Sequence, residues 1–419
     1  MSLEALGSLD LAKNAPGAGL KDYEGQIDMV ALRAYRLGRV REQLRARDYA
    51  GIVLYDPINI RYATGTRQMA VWTLHNAARY VFVPTEGPII LWEYNNPGAI
   101  MVSAGLETVD EVRPARTWFY FPAAEQAASR ARAWGDELAT EIRRLSGDNR
   151  RVAFDHLDPY GHNVMQELGF EVMDGQQVME RARVIKGPEE MACMNVCMDV
   201  CDAGMYRMRE ALKPGMTENA LWSILHQTNI EMGGEWIETR LLTTGGRTNP
   251  WFQECGERVI RPGDLVSFDT DLIGPFGYCA DVSRTFFCGP GKPSDEQKKL
   301  YGLAVDQIAH NCALLKPGVT HREICEKSWK IPNEYAANRY SLLHGVGLCD
   351  EYPSIPNVQD IWRLADPEGI VEPGMTLCVE SYVGAEGGAE GVKLEQQVLI
   401  TDNGLEILST FPYEDAFLS

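Results

Sequence analysis

The stretch Gly263 to Gly289, GDLVSFDTDLIGPFGYCADVSRTFFCG, decides how the rest of the chain is read. It predicts two strands joined by a turn. From Leu265 to Asp271 the side chains alternate, with Leu265, Ser267, Asp269 and Asp271 on one face and Val266, Phe268 and Thr270 on the other. Gly274-Pro275-Phe276-Gly277 carries turn chemistry, and Tyr278 to Cys288 is rich in strand formers. Asp269, Asp271 and Asp281 stand among Val266, Phe268, Phe286 and Phe287, which are core residues in such a hairpin. Clustered carboxylates in an apolar setting need a counter-charge, and a metal ion is the commonest one. The hairpin is therefore expected to form half of a metal site.

Working outward, 419 residues are enough for two or three domains with sizeable cores. No run of about 18 apolar residues occurs, so no membrane partner is expected. A net charge of −19 leaves no basic stripe for phosphates, which argues against nucleic acid. Residues 1–27 lack the basic-then-apolar order of a secretory signal and are expected to form a loose arm. The ten cysteines form no CxxC pair and fit a reducing, cytoplasmic protein. Cys193, Cys197 and Cys201 share one helix face, where core packing is the expected role. Seven histidines, with His75, His156 and His162 scattered, are too few for an all-His site.

Residues 28–180 alternate amphipathic helices (28–47 and 123–145) with short apolar strands (51–55, 80–84, 88–92 and 152–154), which implies a small α/β domain. A boundary is expected near residue 180. Helices are then expected at about 188–212, 217–232, 294–316 and 320–338. Lys213-Pro214-Gly215-Met216-Thr217-Glu218 and Lys316-Pro317-Gly318-Val319-Thr320-His321-Arg322-Glu323 are near copies about 103 residues apart. They suggest two related halves with a site at their seam. The second half adds His344 in Leu343-His344-Gly345-Val346-Gly347. It also adds Glu380, which closes Thr376 to Glu380, and Glu395, which follows Gly391-Val392-Lys393-Leu394.

The pieces IKGPEEM, RVIRPGDLVSFD, GYCADVSRTF, HGVGL, PGMTLCVE and GVKLEQQVLI resemble the creatinase/methionine aminopeptidase family of the pita-bread fold. The resemblance implies an α+β chain: a smaller N-terminal α/β domain (28–180), then a C-terminal pita-bread catalytic domain (181–419) with a pseudo-twofold repeat. It carries the ligand order Asp, Asp, His, Glu, Glu onto Asp269, Asp281, His344, Glu380 and Glu395. The family usually spaces its two aspartates by 11 residues, whereas Asp269 and Asp281 are 12 apart and Asp271 and Asp281 are 10 apart. Asp271 is then an added acid, and both Asp269 and Asp271 are expected to reach the metals. Such an oxygen-rich shell suits two divalent ions, with iron preferred by resemblance and manganese or zinc compatible. A homodimer is implied as well.

Related peptidases carry two further histidines. Here Trp251, in Asn249-Pro250-Trp251-Phe252, and Asp350, in Asp350-Glu351-Tyr352-Pro353, stand in their places. Trp binds a cation through its ring face, and an Asp in a closed pocket among other carboxylates, as expected of Asp350, becomes a stronger base. These replacements resemble the branch of the fold that cleaves dimethylsulfoniopropionate (DMSP), a zwitterionic sulfonium, to dimethyl sulfide and acrylate by β-elimination. The resemblance implies Asp350 as the base. Trp251, Phe252 and Tyr340 are expected to enclose the substrate, with Tyr340 also catalytic through a hydrogen bond to the substrate carboxylate. Arg247 and Arg339 are further candidates for orienting that carboxylate. The rival expectation is a metallopeptidase of the Xaa-Pro aminopeptidase or prolidase kind, which shares every ligand.

Overall fold

The computed structural model describes residues 27–418, so the expected arm lies almost wholly outside the described residues. Two compact units divide between Gly187 and Pro188, seven residues beyond the expected boundary. The shift has a local cause. The helix Gln176–Arg183 is held inside the first unit, where the Tyr62 hydroxyl donates to the Ala182 carbonyl at 2.9 Å.

The first unit is a six-stranded mixed sheet, in the order β4-β3-β2-β1-β5-β6. Its strands are β1 (Gly51–Leu54), β2 (Tyr80–Pro84), β3 (Ile90–Glu93), β4 (Glu111–Pro114), β5 (Arg151–Phe154) and β6 (Glu171–Asp174). β1, β2 and β3 are buried on both faces, as their unbroken apolar runs require. Trp92 stacks on Tyr80 at 5.1 Å between ring centroids, within a core that includes Trp134 and Phe154. Arg79 and Glu93 are sealed into this unit, 2.9 Å apart, with Ser103 and the Tyr94 amide also donating to Glu93. Glu93→Ala strands the buried guanidinium and is expected to destabilise the protein by about 3–5 kcal/mol. Urea unfolding measures this. A loss under about 1 kcal/mol would mean the pair contributes little.

The second unit is built from antiparallel strands flanked by helices, and it carries the predicted repeat. Its strands are β7 (Trp236–Ile237), β8 (Leu242–Thr244), β9 (Leu265–Asp269), β10 (Leu272–Ile273), β11 (Cys279–Ala280), β12 (Ser283–Phe287), β13 (Leu343–Val346), β14 (Asp350–Ile355), β15 (Thr376–Val383), β16 (Val392–Thr401) and β17 (Gly404–Ile407). They form three sheets, β11-β10-β7, β12-β9-β8 and β14-β13-β15-β16-β17. Thr217 and Thr320 each cap the helix that follows, Glu218–Glu231 and His321–Lys327. Each also forms an isolated antiparallel bridge to a residue just upstream of a Pro-Gly turn, Thr217 with Val259 and Thr320 with Ile370. The repeated KPGxT motif thus makes the same connection in both halves.

Two expectations change. The helix expected at 320–338 ends at Lys327. Pro332, which lacks an amide hydrogen, lies in the segment that would have continued it. The strand expected to run to Asp271 stops at Asp269, and Asp271 turns to φ +35°. At the break the Thr270 hydroxyl stands in for ladder groups, donating to the Ala280 carbonyl and accepting from the Val282 amide. The hairpin resumes in the same register as β10 and β11.

Candidate metal centre

Three pairs of strands bring the acids together. In β9 and β12, Asp269 pairs with Ser283, and Asp271 and Asp281 flank the break. In β15 and β16, Glu380 lies directly opposite Glu395. In β13, His344 pairs with Cys378 of β15, and a bulge between His344 and Gly345 turns the imidazole toward the acids. Only glycine fits at the bulge, since a Cβ on Gly345 would lie 2.3 Å from the Tyr352 carbonyl oxygen. His344 Nε2 then stands 3.2 Å from Glu380, 3.5 Å from Asp281 and 3.8 Å from Glu395.

Asp269, Asp281, Glu380 and Glu395 are buried, while Asp271 and His344 are half-buried. Potential ligand atoms lie within 4.8 Å of one another in three sets: Asp269/Asp271/Asp281, Asp269/Glu380/Glu395, and Asp281/His344/Cys378/Glu395. Asp269 Oδ1, Asp281 Oδ1 and Glu395 Oε1 are buried without a hydrogen-bond partner. Unpaired buried carboxylate oxygens are costly unless a cation meets them, so the chain's own atoms fit the metal pair that the family pattern implies. Cys378 fits less well as a ligand. Burial, then the charge of Asp281, pushes its thiol well above the usual range and keeps it protonated.

The electrostatics follow from crowding. Burial and the charge of Glu395 raise Asp281 well above the ordinary carboxylate range, and burial and Asp269 raise Glu395 similarly. Burial and Asp269 push Asp271 up to about 8, although the Thr239 hydroxyl donates to it. Burial would also raise Asp269, but Lys393 together with side-chain bonds to Glu395, Ser283 and Asp281 holds Asp269 low. For His344, burial favours the neutral ring, yet the Glu380 bond and the charges of Asp350, Glu380 and Glu395 carry it up to about 10.

The surrounding candidates are placed as follows. Asp350 begins β14, with Oδ1 3.6 Å from His344 Nδ1, and its side chain is 66% exposed. It stands at the mouth of the site rather than in the closed pocket expected for it. Its carboxyl is raised by loss of water, lowered by His344 and raised again by Asp269, Glu380 and Glu351. With so much of the side chain in water, the dehydration part of that rise is weakened and the field of neighbouring acids gains weight. Trp251 is buried against Tyr382, at 6.3 Å between centroids. Phe252 has left-handed backbone (φ +73°), is 62% exposed and lies 5.1 Å from the Tyr340 ring.

The two arginine candidates are paired elsewhere. Arg247 pairs with buried Glu218, and Arg339 makes a two-pronged pair with Asp360 at 2.5 and 2.6 Å. Both are committed to holding loops.

One residue was quoted in the sequence but given no role. Lys393 is fully buried, and its Nζ bonds to Ser283 at 2.7 Å, Glu395 at 3.1 Å, Asp269 at 3.2 Å, and to Glu380. It also stands over the rings of Tyr340 at 5.2 Å and Trp251 at 5.9 Å. Strand alternation carried the signal, because Lys393 and Glu395 are two apart and share a face.

Two paired glutamates, two aspartates flanking a strand break and a histidine turned by a bulge describe a metalloenzyme of the pita-bread fold. The chain belongs to metallopeptidase family M24, matched over residues 192–402, and carries a creatinase/prolidase N-terminal domain over residues 36–185. It is 40% identical over 397 residues to the dimethylsulfoniopropionate lyase DddP of Roseovarius nubinhibens, covering 93% of this chain and 88% of that one. Identity to the DddP lyase of Roseobacter denitrificans is 38% over the same share of each chain. The Xaa-Pro dipeptidase of Bacillus anthracis has the same fold, with a TM-score of 0.73 at 21% identity, over 91% of this chain and 99% of that one.

Proposed function

We infer that the chain is a metal-dependent carbon–sulfur lyase that cleaves DMSP to dimethyl sulfide and acrylate. The observation that carries this reading is the 40% identity to a DddP lyase across nearly the whole chain. It is joined by Trp251 and Asp350, which the family resemblance sets at the positions of two peptidase histidines.

Asp269, Asp271, Asp281, His344, Glu380 and Glu395 would hold two divalent ions, for which iron is preferred and manganese or zinc also suits the donor set. Ions held there would supply Lewis acidity toward the substrate carboxylate and the charge developing at its α-carbon. Asp350 takes the α-proton. The C–H electrons form the new double bond, the C–S bond breaks toward sulfur, and dimethyl sulfide leaves neutral, so no acid is needed. Tyr340 donates a hydrogen bond to the substrate carboxylate. Burial and the Glu380 charge push its phenol far above the usual range and keep it a donor. The inner faces of Tyr340 and Trp251 already meet Lys393, so the sulfonium is enclosed by their remaining edges and by exposed Phe252. The strained backbone at Phe252 supports a binding role there.

All ten cysteines are free thiols, in keeping with a reducing cytoplasm. No helix among the described residues is long and apolar enough to cross a membrane. Exposed Met101, Val102, Tyr120 and Phe121 on the first unit offer apolar surface to a second copy, in keeping with a homodimer.

The deciding experiment gives purified protein DMSP and, separately, an Xaa-Pro dipeptide. Headspace dimethyl sulfide with equimolar acrylate is expected, and no free proline. Release of amino acids without sulfide would overturn the lyase in favour of the prolidase alternative. Sedimentation of the same sample is expected to give a dimer, and a monomer would remove that part of the reading.

A further inference from the structure

We propose that Lys393 is a resident cation of the metal centre, a positioning residue that fixes the charge of the site and the aim of its carboxylates. The proposal rests on the six-ligand metal centre and is independent of the choice of substrate.

One of the three sets of potential ligand atoms is Asp269, Glu380 and Glu395. The same three carboxylates meet Lys393 Nζ. The contacts divide the oxygens of two acids cleanly. Asp269 Oδ2 and Glu395 Oε2 face the ammonium, while Asp269 Oδ1 and Glu395 Oε1 have no hydrogen-bond partner. Ser283 tightens the arrangement, accepting from Lys393 and donating to the same Glu395 Oε2 at 2.8 Å. One oxygen of each acid is thus tied down and the other is left facing the centre of the cluster. Removing the ammonium would free the Asp269 carboxylate to rotate and leave Glu395 held by Ser283 alone.

The charge count points the same way. The five candidate carboxylates, Asp269, Asp271, Asp281, Glu380 and Glu395, carry five negative charges when ionised. Two divalent ions supply four positive charges, and Lys393 supplies the fifth. The rings of Trp251 and Tyr340 turn toward this ammonium at 5.9 and 5.2 Å. Their negative faces help keep a charge in an interior that would otherwise expel it.

A residue that sets charge must affect discrimination between ions of different charge, which a packing residue does not. The probes are Mn²⁺ and a trivalent lanthanide, Tb³⁺, competed on the full-length protein and read by elemental analysis and terbium luminescence. In Lys393→Met the centre is one unit more negative, so the ratio of Tb³⁺ to Mn²⁺ affinity is expected to rise at least about tenfold. Lys393→Arg keeps the charge and is expected to keep the wild-type ratio. The metal-stripped Lys393→Met protein should also lose on the order of 10 °C in Tm relative to wild type, with a smaller deficit once metal is added. An unchanged ratio in Lys393→Met, or equal Tm losses with and without metal, would overturn the proposal. Should Lys393→Met not fold, Lys393→Arg decides, and a shifted ratio there overturns it. A wild-type protein that binds neither ion would instead overturn the metal centre itself.

Discussion

Asp350→Asn is expected to slow dimethyl sulfide release by about 10²- to 10⁴-fold while leaving the fold and the metal content unchanged. The exposed position of the side chain makes this a clean substitution, since no buried contact is lost. Asparagine keeps the shape and a carbonyl oxygen 3.6 Å from His344, but it cannot take a proton. The loss should fall on kcat. KM should change little, because Asp350 is not among the groups that hold the substrate. Loss of water and the neighbouring acids, against the opposing charge of His344, raise the Asp350 carboxyl above its ordinary value, and only the ionised form is a base. Wild-type activity should therefore fall with acidity at a pH above the roughly 3.9 of an unperturbed aspartate. The variant's residual activity should lack that limb. Parallel measurement of rate, pH profile and metal content tests the assignment. If metal leaves together with activity, Asp350 holds His344 in place and the base lies elsewhere.

How much of this was legible in the chain depended on the range of the signal. Strand alternation put Ser267 and Asp269 on one face, and the family motifs gathered four acids and a histidine spread across more than a hundred residues. The KPGxT repeat foretold two halves, because a cap and a turn are local chemistry that sequence shows directly. The features that escaped were set by partners distant in sequence. Arg247 and Arg339 looked available because Glu218 and Asp360 lie 29 and 21 residues away. The strand break at Asp271 arises because the Thr270 side chain replaces ladder groups, and a period-two reading has no term for that. Asp350 was expected in a closed pocket. Its exposure depends on where the β13–β14 hairpin opens, which spacing does not encode. Lys393 was hidden for another reason. A lysine in a strand is ordinarily a solvated residue, and only the three acids around it make it otherwise.

Glu395→Gln is expected to reduce metal affinity by more than the roughly 10–100-fold typical of losing an outer partner, because it removes a ligand charge at the centre. The size of the side chain is kept, so packing survives, but the hydrogen-bond pattern does not. Glu395 Oε2 accepts from both Ser283 and Lys393. An amide nitrogen at that position would face two donors, whereas the reverse orientation would point the nitrogen at the ligand cluster. Either way one oxygen that should meet the ions is lost or displaced. Proton linkage supplies a second readout. Asp281 and Glu395 hold their protons well above the usual range, and Asp271 titrates at about 8. Ligands must shed protons to bind a cation, so wild-type affinity should climb as pH rises through about 8, where Asp271 titrates, and on toward about 10, where His344 loses its proton. Glu395→Gln has one fewer proton to release, and its affinity should climb less steeply. Elemental analysis after equilibration with manganese across pH measures both the drop and the slope. Full metal loading with an unchanged slope would show that Glu395 does not touch the ions, and the remaining acids would then have to close the site without the residue directly opposite Glu380.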